Sequence, residues 1–440
     1  MKKLIAVLLA AVMVLGLCAC SVSEKPAATT AAATQAPADA PATEAPAAAV
    51  TEISLWTYPI GKWGDQAEVD NLLAKFHADH PEVHLTVEYL TYQDGDDKVN
   101  TAIEGNKAPD LVMEGPERLV ANWGAKGKMV DLSDLWTAET KADMYASVEA
   151  ACKSTSGAYY EYPLCMTAHC MAINKDVFEA AGAMQYIDEE THTWTTENFL
   201  KAVQTLVDAG YENVGVVFCG GQGGDQGNRA LINNLYGGTY TNADHTAYTA
   251  DSPENIKALE TLRDTKGITF DPAIVGGDEI QLFVQGQLLM ATCWNIAQEK
   301  NNADALTFDA FPMAFPSQNG TDTQLCGGIW GFGVFDNGDA AKIEAAKTFI
   351  KWACDENAEE CAKVSSYWST RQSLADMYAG DEMMTEYGQF MKYMGDYYQV
   401  VGGWANARTE WWNMLQRVGA GGDIPTEVAT FVANANAAIG

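Results

Sequence analysis

From residue 51 onward, runs that alternate apolar and polar residues take turns with runs whose apolar residues recur every three or four positions. Ile53-Ser54-Leu55-Trp56 reads as a short strand. Val69, Leu72, Leu73 and Phe76 mark one face of a helix that Pro81 terminates. Val83, Leu85, Val87 and Tyr89 then alternate with His84, Thr86 and Glu88, the pattern of a half-buried strand. Asp110 to Met113 forms another strand, Pro116 opens the next helix, and Leu132-Ser133-Asp134-Leu135 begins a further one. Strands that alternate with helices predict an α/β fold with a mainly parallel sheet flanked by helices on both faces. The chain beyond residue 50 is longer than one core usually serves, so two lobes are expected. No internal repeat interrupts this order.

The first fifty residues follow different rules. Lys2 and Lys3 precede an apolar stretch, residues 4–17, too short for a stable membrane anchor, and Leu17-Cys18-Ala19-Cys20 closes it. That order reads as an export signal. Its ending resembles the bacterial lipoprotein cleavage box, which implies removal of residues 1–19 and lipidation of Cys20. Residues 20–49 contain mostly Ala, Thr and Pro, with too little apolar bulk to offset the entropy of ordering, and are expected to form a disordered tether. A diacylglyceryl cysteine carries more than one chain, enough for stable anchoring at the outer face of a cell membrane.

The formal charge is −32. Such a surface repels phosphates and anionic headgroups, which excludes nucleic acid as a partner and leaves the lipid anchor as the membrane contact. Eight cysteines follow Cys20, none in a Cys-x-x-Cys pair, and several stand in apolar runs such as Val216-Val217-Phe218-Cys219. They read as small buried hydrophobes. Cys354 and Cys361, about 10 Å apart along a helix, are too far separated to bridge.

Several motifs then occur in a family's order. They are Trp56-Thr57, Lys75-Phe76 with His80-Pro81-Glu82-Val83, Lys107-Ala108-Pro109-Asp110-Leu111-Val112, Tyr162-Pro163, and Ile173-Asn174-Lys175-Asp176-Val177-Phe178. Thr193-Trp194 with Phe199, Phe283 with Gly286-Gln287, Met290-Ala291 and Trp294, Phe311-Pro312, Cys326-Gly327-Gly328 and the run 345–350 continue it. Over residues 51–440 the chain resembles the extracellular solute-binding proteins of carbohydrate ABC importers, the maltose-binding-protein-like group. The resemblance implies a two-lobed, type II periplasmic-binding-protein-like fold with three crossing hinge segments, closing on its ligand. Lobe one would comprise 51–165 plus 331–371, and lobe two 166–330 plus 372–440. The crossings would fall near 164–169, 327–331 and 371–373.

Aromatic content supports this independently. Twelve Trp and eighteen Tyr exceed what a core of this size needs, and sugars pack their C–H faces on such rings. Trp56 and Tyr58 end the first strand, where ligands of open α/β sheets bind, and Glu114 ends the strand before the Gly115-Pro116 turn. By resemblance Trp294 walls the cleft from lobe two, with Asn295 beside it, and Trp404 is contributed by the C-terminal helices. Trp330 follows the second crossing; Trp368 and Arg371 stand near the third, where a guanidinium would bind hydroxyls. Trp136, Trp194, Trp352 and Trp412 occupy helical or capping positions and are expected to be structural.

No nucleophile elbow, zinc-protease helix or phosphate loop is present, and 221–227 fails the dinucleotide pattern at Gln226. No cofactor is implied. The expectation is therefore a non-catalytic, monomeric, lipid-anchored receptor that captures an oligosaccharide between two lobes and delivers it to an ABC import permease. Two alternatives remain: a metal receptor using His77, His80 and His84, and an exported glycoside hydrolase with a carboxylate pair.

Overall fold

The computed structural model describes residues 50–221, 225–395 and 400–439. The expected export signal, Cys20 and the tether lie outside the described residues, as does part of the glycine-rich loop at 221–227.

Eleven strands are placed: β1 (Thr51–Thr57), β2 (Val83–Tyr89), β3 (Leu111–Glu114), β4 (Tyr162–Ala168), β5 (Cys170–Asn174), β6 (Gly215–Phe218), β7 (Ile268–Asp271), β8 (Met290–Trp294), β9 (Ala310–Met313), β10 (Gly327–Val334) and β11 (Trp368–Ser369). A six-stranded sheet has the order β11-β4-β10-β3-β1-β2. Strands β2, β1 and β3 pair in parallel, as the alternating segments predict. The late strand β10 enters antiparallel between β3 and β4, and β11 pairs antiparallel on the outer edge of β4. β1 to β4 thus run one way, and the two strands that return late in the chain run the other. The remaining strands form an antiparallel trio, β8-β5-β9, and a parallel pair, β6-β7. The Leu289 and Met290 amides donate to the Val214 carbonyl at 3.1 and 3.0 Å, tying β8 to the start of β6. Among the named strands parallel pairing is therefore local, confined to β2-β1-β3 and β6-β7; the six-stranded sheet is mixed and the trio is antiparallel.

The first helix, Gln66–Asp79, shows why the periodicity was legible. Its buried residues are Val69, Leu72, Leu73 and Phe76, one stripe at i, i+3, i+4, i+7 packed on the sheet. Asp65 caps it by accepting from the Ala67 amide. Phe76 meets Phe349 and Trp352 edge-on, so the helix Ala340–Lys351 covers the same face. One expected helix start is corrected. Residues 132–135 form a turn in which Asp131 accepts from the Ser133 amide, and the helix begins at Ala138, where Thr137 Oγ1 accepts from the Thr140 amide. Asp131 and Ser133 offer the backbone a local turn that outcompetes the helix.

The chain leaves the six-stranded sheet at Ala168 and enters the antiparallel trio at Cys170. It returns just before Gly327, and the His169 amide donates to the Cys326 carbonyl at 2.7 Å, so the two passages run side by side. After β11, residues 371–373 still belong to the first sheet's surroundings: Arg371 bridges to Met144, and Ser373 bonds Asp143. The helix Glu382–Gly388 then contacts Trp294 through Tyr387. Residues 371–373 thus stay beside the first sheet, and the chain meets Trp294 only at Tyr387.

Cys152, Cys165, Cys170, Cys219, Cys354 and Cys361 are buried thiols, as their apolar neighbours predict. No helix among the described residues is long and apolar enough to cross a membrane.

Candidate functional site

Parallel strands that end together present their next residues to one crevice, and β1, β2 and β3 do so here. Tyr58 follows β1, Tyr92 follows β2 by three residues, and Glu114 is the last residue of β3. The Tyr58 and Tyr92 rings stack at 5.2 Å. Pro116 opens the turn after β3 and carries Glu117 and Arg118 to the same place. The Arg118 guanidinium lies 5.2 Å from the Tyr58 ring centre, 5.8 Å from Tyr92 and 6.0 Å from Trp404, the first residue of the helix Trp404–Gly419. Arg408, one turn on, lies 5.4 Å from the same indole.

Three carboxylates surround the one guanidinium. Arg118 donates to Asp96 at 2.6 Å, Glu114 at 3.3 Å and Glu117 at 3.4 Å. Tyr58 Oη also donates to Asp96, at 2.5 Å. Gly95 permits this approach, since a Cβ there would stand 2.7 Å from the Tyr58 ring. Glu114 is almost fully buried, and its carboxylate accepts from the Gly115 amide. Burial, then the Glu117 charge, raises its pKa to about 8 against the pull of Arg118. Glu161 is buried completely, and both carboxylate oxygens lack a hydrogen-bond partner. Burial, then the charges of Glu117 and Glu114, pushes it well above the usual carboxylate range, which favours its protonated form.

Tyr92 combines two properties. The residue is 49% exposed, yet surrounding protein and the charges of Glu114 and Glu117 push its phenol up. A ring that water reaches but protein surrounds stands in a concavity. The Tyr367 phenol also acts on it, and Tyr367 stacks on Trp330 with ring centres 5.1 Å apart at 18°. The Trp330 indole folds back over Gly328, where a Cβ would meet its ring at 1.8 Å. Both rings are partly exposed.

Of the residues expected from sequence, Tyr58, Glu114, Trp330 and Trp404 come together in this cluster. Trp56 is half-buried on the sheet face under the helix Gly95–Glu104, where Lys98 Nζ lies 5.3 Å from its ring. Trp294 has no exposed surface: its Nε1 donates to Tyr387 Oη at 2.6 Å, and Phe283 packs edge-on at 5.1 Å. Asn295 caps the helix Ile296–Asn302, accepting from the Ala297 amide at 2.8 Å. Trp368 is buried against Tyr378. Arg371 turns into the flank of the first sheet, bound to Tyr162 Oη at 3.0 Å and to Asp355. The structure therefore occupies these last four side chains with packing and internal hydrogen bonds. Tyr92, Glu117, Arg118 and Tyr367 were not anticipated. The strand-end rule applied to β2 would have found Tyr92.

Hollows also lie elsewhere. One of about 550 Å³ is lined by Ser54, Asp110, Lys128, Asp336 and Lys342 with Ile103, Ala108 and the buried Phe335, but Asp110 is already engaged by Ser54 and Lys342 and the lining is mostly polar. It offers a sugar face little to stack on. The histidines also have other partners. His77 Nε2 accepts from the Leu85 amide at 3.0 Å, His80 meets Glu82, and no group of His, Cys, Asp or Glu among the described residues is arranged to hold a metal.

Comparison with known proteins fits this geometry. The cyclic α-maltosyl-1,6-maltose binding protein of Arthrobacter globiformis is 18% identical, with a TM-score of 0.73, covering 89% of this chain and 99% of its own. An ABC substrate-binding protein of Listeria monocytogenes, solved with cycloalternan, is 20% identical with a TM-score of 0.61, covering 88% and 98%. The maltose/maltodextrin-binding domain of Bdellovibrio bacteriovorus, bound to maltotriose, is 15% identical with a TM-score of 0.62, covering 88% and 99%. No curated protein matches. At these identities the likeness speaks for the fold, the two-lobed α/β architecture of solute-binding proteins. The family model for the bacterial extracellular solute-binding proteins matches residues 61–359, and the chain belongs to that family.

Proposed function

We propose that this chain is a receptor for an oligosaccharide, which it holds between two lobes and hands to an ABC import permease without catalysis. The observation that carries this reading is the aromatic cluster at the carboxyl ends of β1, β2 and β3. Tyr92, Trp330, Tyr367 and Trp404 keep exposed ring surface near Arg118 and Glu117, over a buried layer of Tyr58 and Glu114, so flat apolar faces stand beside groups able to bond hydroxyls. The solved relatives bound to cycloalternan and maltotriose make a glucan-like ligand a natural first choice.

In this reading the lobes divide near 165 and 331, as the resemblance implies, with the paired His169 and Cys326 segments as the hinge. The third link is the stretch between Leu374 and Glu382. Closure on the sugar is a population shift, worth only the difference in affinity between open and closed states. Cys20 carries the lipid, residues 20–49 form the tether, and the receptor works as a monomer on the outer face of the cell membrane.

The test is thermal unfolding of residues 50–440 against mono- and oligosaccharides, with and without EDTA. Ligand at a hundred times its dissociation constant adds about 2.7 kcal/mol of stability. A shift with one glycan family, unaffected by EDTA and without hydrolysis product, is the expected result. A shift that requires metal, or product on a chromatogram, would replace the reading with a metal receptor or a glycoside hydrolase.

A further inference from the structure

The aromatic cluster carries more acidic groups than a neutral ligand needs. Asp96, Glu114 and Glu117 converge on a single guanidinium, Arg118. Behind them stands Glu161, wholly buried, its two oxygens unpartnered, with Glu117 and Glu114 as the charges that act on it. A carboxyl group buried without a partner is costly and calls for an explanation. The acids outnumber the cation, and one of them lacks even a hydrogen-bond donor.

The ring faces carry the same sign. Tyr58, Tyr92 and Trp404 each lie within cation–π range of Arg118, which shows that these faces already attract positive charge. Tyr92 keeps about half of its surface open and Glu117 reaches solvent, so both remain able to meet an incoming group. A metal ion does not fit, because no three of the acids are arranged to ligate one. An organic ammonium does, since it needs one carboxylate and an aromatic face rather than a full set of metal ligands.

Building on the oligosaccharide reading, we infer that the ligand is an amino sugar oligomer whose protonated amine sits against Glu117 and the open face of Tyr92. The hydroxyls of the same or neighbouring units bond Arg118 and Asp96. Glu114 faces Glu117 and Arg118 from the turn after β3, Asp96 from the helix Gly95–Glu104, Glu161 from the segment before β4, and the phenols of Tyr58 and Tyr92. It holds a proton at neutral pH, and an ammonium nearby lowers its proton affinity. Binding of the charged ligand therefore releases protons, and binding of a neutral one does not.

The experiment is isothermal titration of residues 50–440 with three tetramers: glucosamine, N-acetylglucosamine and glucose. Each is run at pH 5.5, where the amines are already protonated in the free ligand, in two buffers of different ionisation enthalpy, which reads out proton release from the protein. The expected result is a dissociation constant for the glucosamine tetramer at least tenfold below either neutral tetramer, with proton release for it alone. Glu117→Gln should cut that preference below threefold, with a cooperative melt showing that the variant is folded. Neutral tetramers that bind as well as or better than the amine would overturn this inference and leave the oligosaccharide reading standing. A folded protein that binds none of the three, or any glycan in the thermal panel, would overturn both.

Discussion

Tyr58 and Tyr92 stack with ring centres 5.2 Å apart although they belong to different loops, because β1 and β2 pair in parallel, Thr57 against Tyr89, and end together. The register of two strands thus builds one wall of the candidate site. Helix Gly95–Glu104 locks the inner ring, since Asp96 accepts from Tyr58 Oη, while the outer ring stays open to water.

That asymmetry separates binding from stability. Tyr92→Ala removes a half-exposed ring, so the melting temperature should change little, while affinity for the cognate oligosaccharide should fall roughly 10- to 100-fold, about 1.4–2.7 kcal/mol. Titration calorimetry beside a melt of the same sample checks both halves. An unchanged dissociation constant would place the ligand elsewhere.

Trp294 should behave in the opposite way. It has no exposed surface and bonds Tyr387, which in turn donates to Glu299 at 3.2 Å. Trp294→Ala leaves a large cavity and takes from the buried Tyr387 phenol the N–H that donates to it, at a cost of roughly 3–5 kcal/mol. Chemical denaturation should show the loss as a lower midpoint. A variant as stable as the parent but unable to bind sugar would restore Trp294 to the site.

These two residues show what the sequence makes legible. Alternation and helical stripes recover β1 to β3 and the helix Gln66–Asp79 because burial on one face imposes a period. Tyr58 and Glu114 are legible through their positions at strand ends, a consequence of topology. Motifs and crossings point to Trp294, Asn295 and Arg371 because they fix the order of the backbone. Motifs do not fix where a side chain turns, and that is decided by partners distant in sequence: Tyr387 for Trp294, Tyr162 and Asp355 for Arg371. Arg118 is harder to read, since beyond the neighbouring Glu114 and Glu117 its role depends on Asp96 and three rings from separate segments.

Gly328 controls the opposite wall. A Cβ there would overlap the Trp330 ring, so Gly328→Ala must displace the indole from its stack on Tyr367. We expect an affinity loss of roughly tenfold, about 1.4 kcal/mol, together with altered Trp fluorescence in the free protein. Trp330→Phe should recover much of the binding in the Gly328→Ala background, because the smaller ring leaves room for the methyl. Absence of any affinity change in the single variant would remove the Trp330–Tyr367 pair from the binding surface.

The buried carboxyls also predict how stability varies with pH. Burial raises Glu114 to about 8 and Glu279 to about 7, and raises Glu161 as well. Below the ordinary carboxylate pKa, folded and unfolded chains both hold these protons. As pH rises above it, the unfolded chain ionises first and binds fewer protons than the folded one, so the stability these groups contribute drains away until the pH passes their folded values. The window is therefore about pH 4.5 to 8, and the melting temperature should fall as pH rises through it. Glu161→Met replaces an unpartnered acid by an apolar side chain of similar length. It should raise the melting temperature at pH 8 more than at pH 5, flattening the slope. If the variant melts lower than the parent at pH 8, Glu161 has a partner that only the folded protein in solution supplies, such as a bound cation, and the ionised form is the native one.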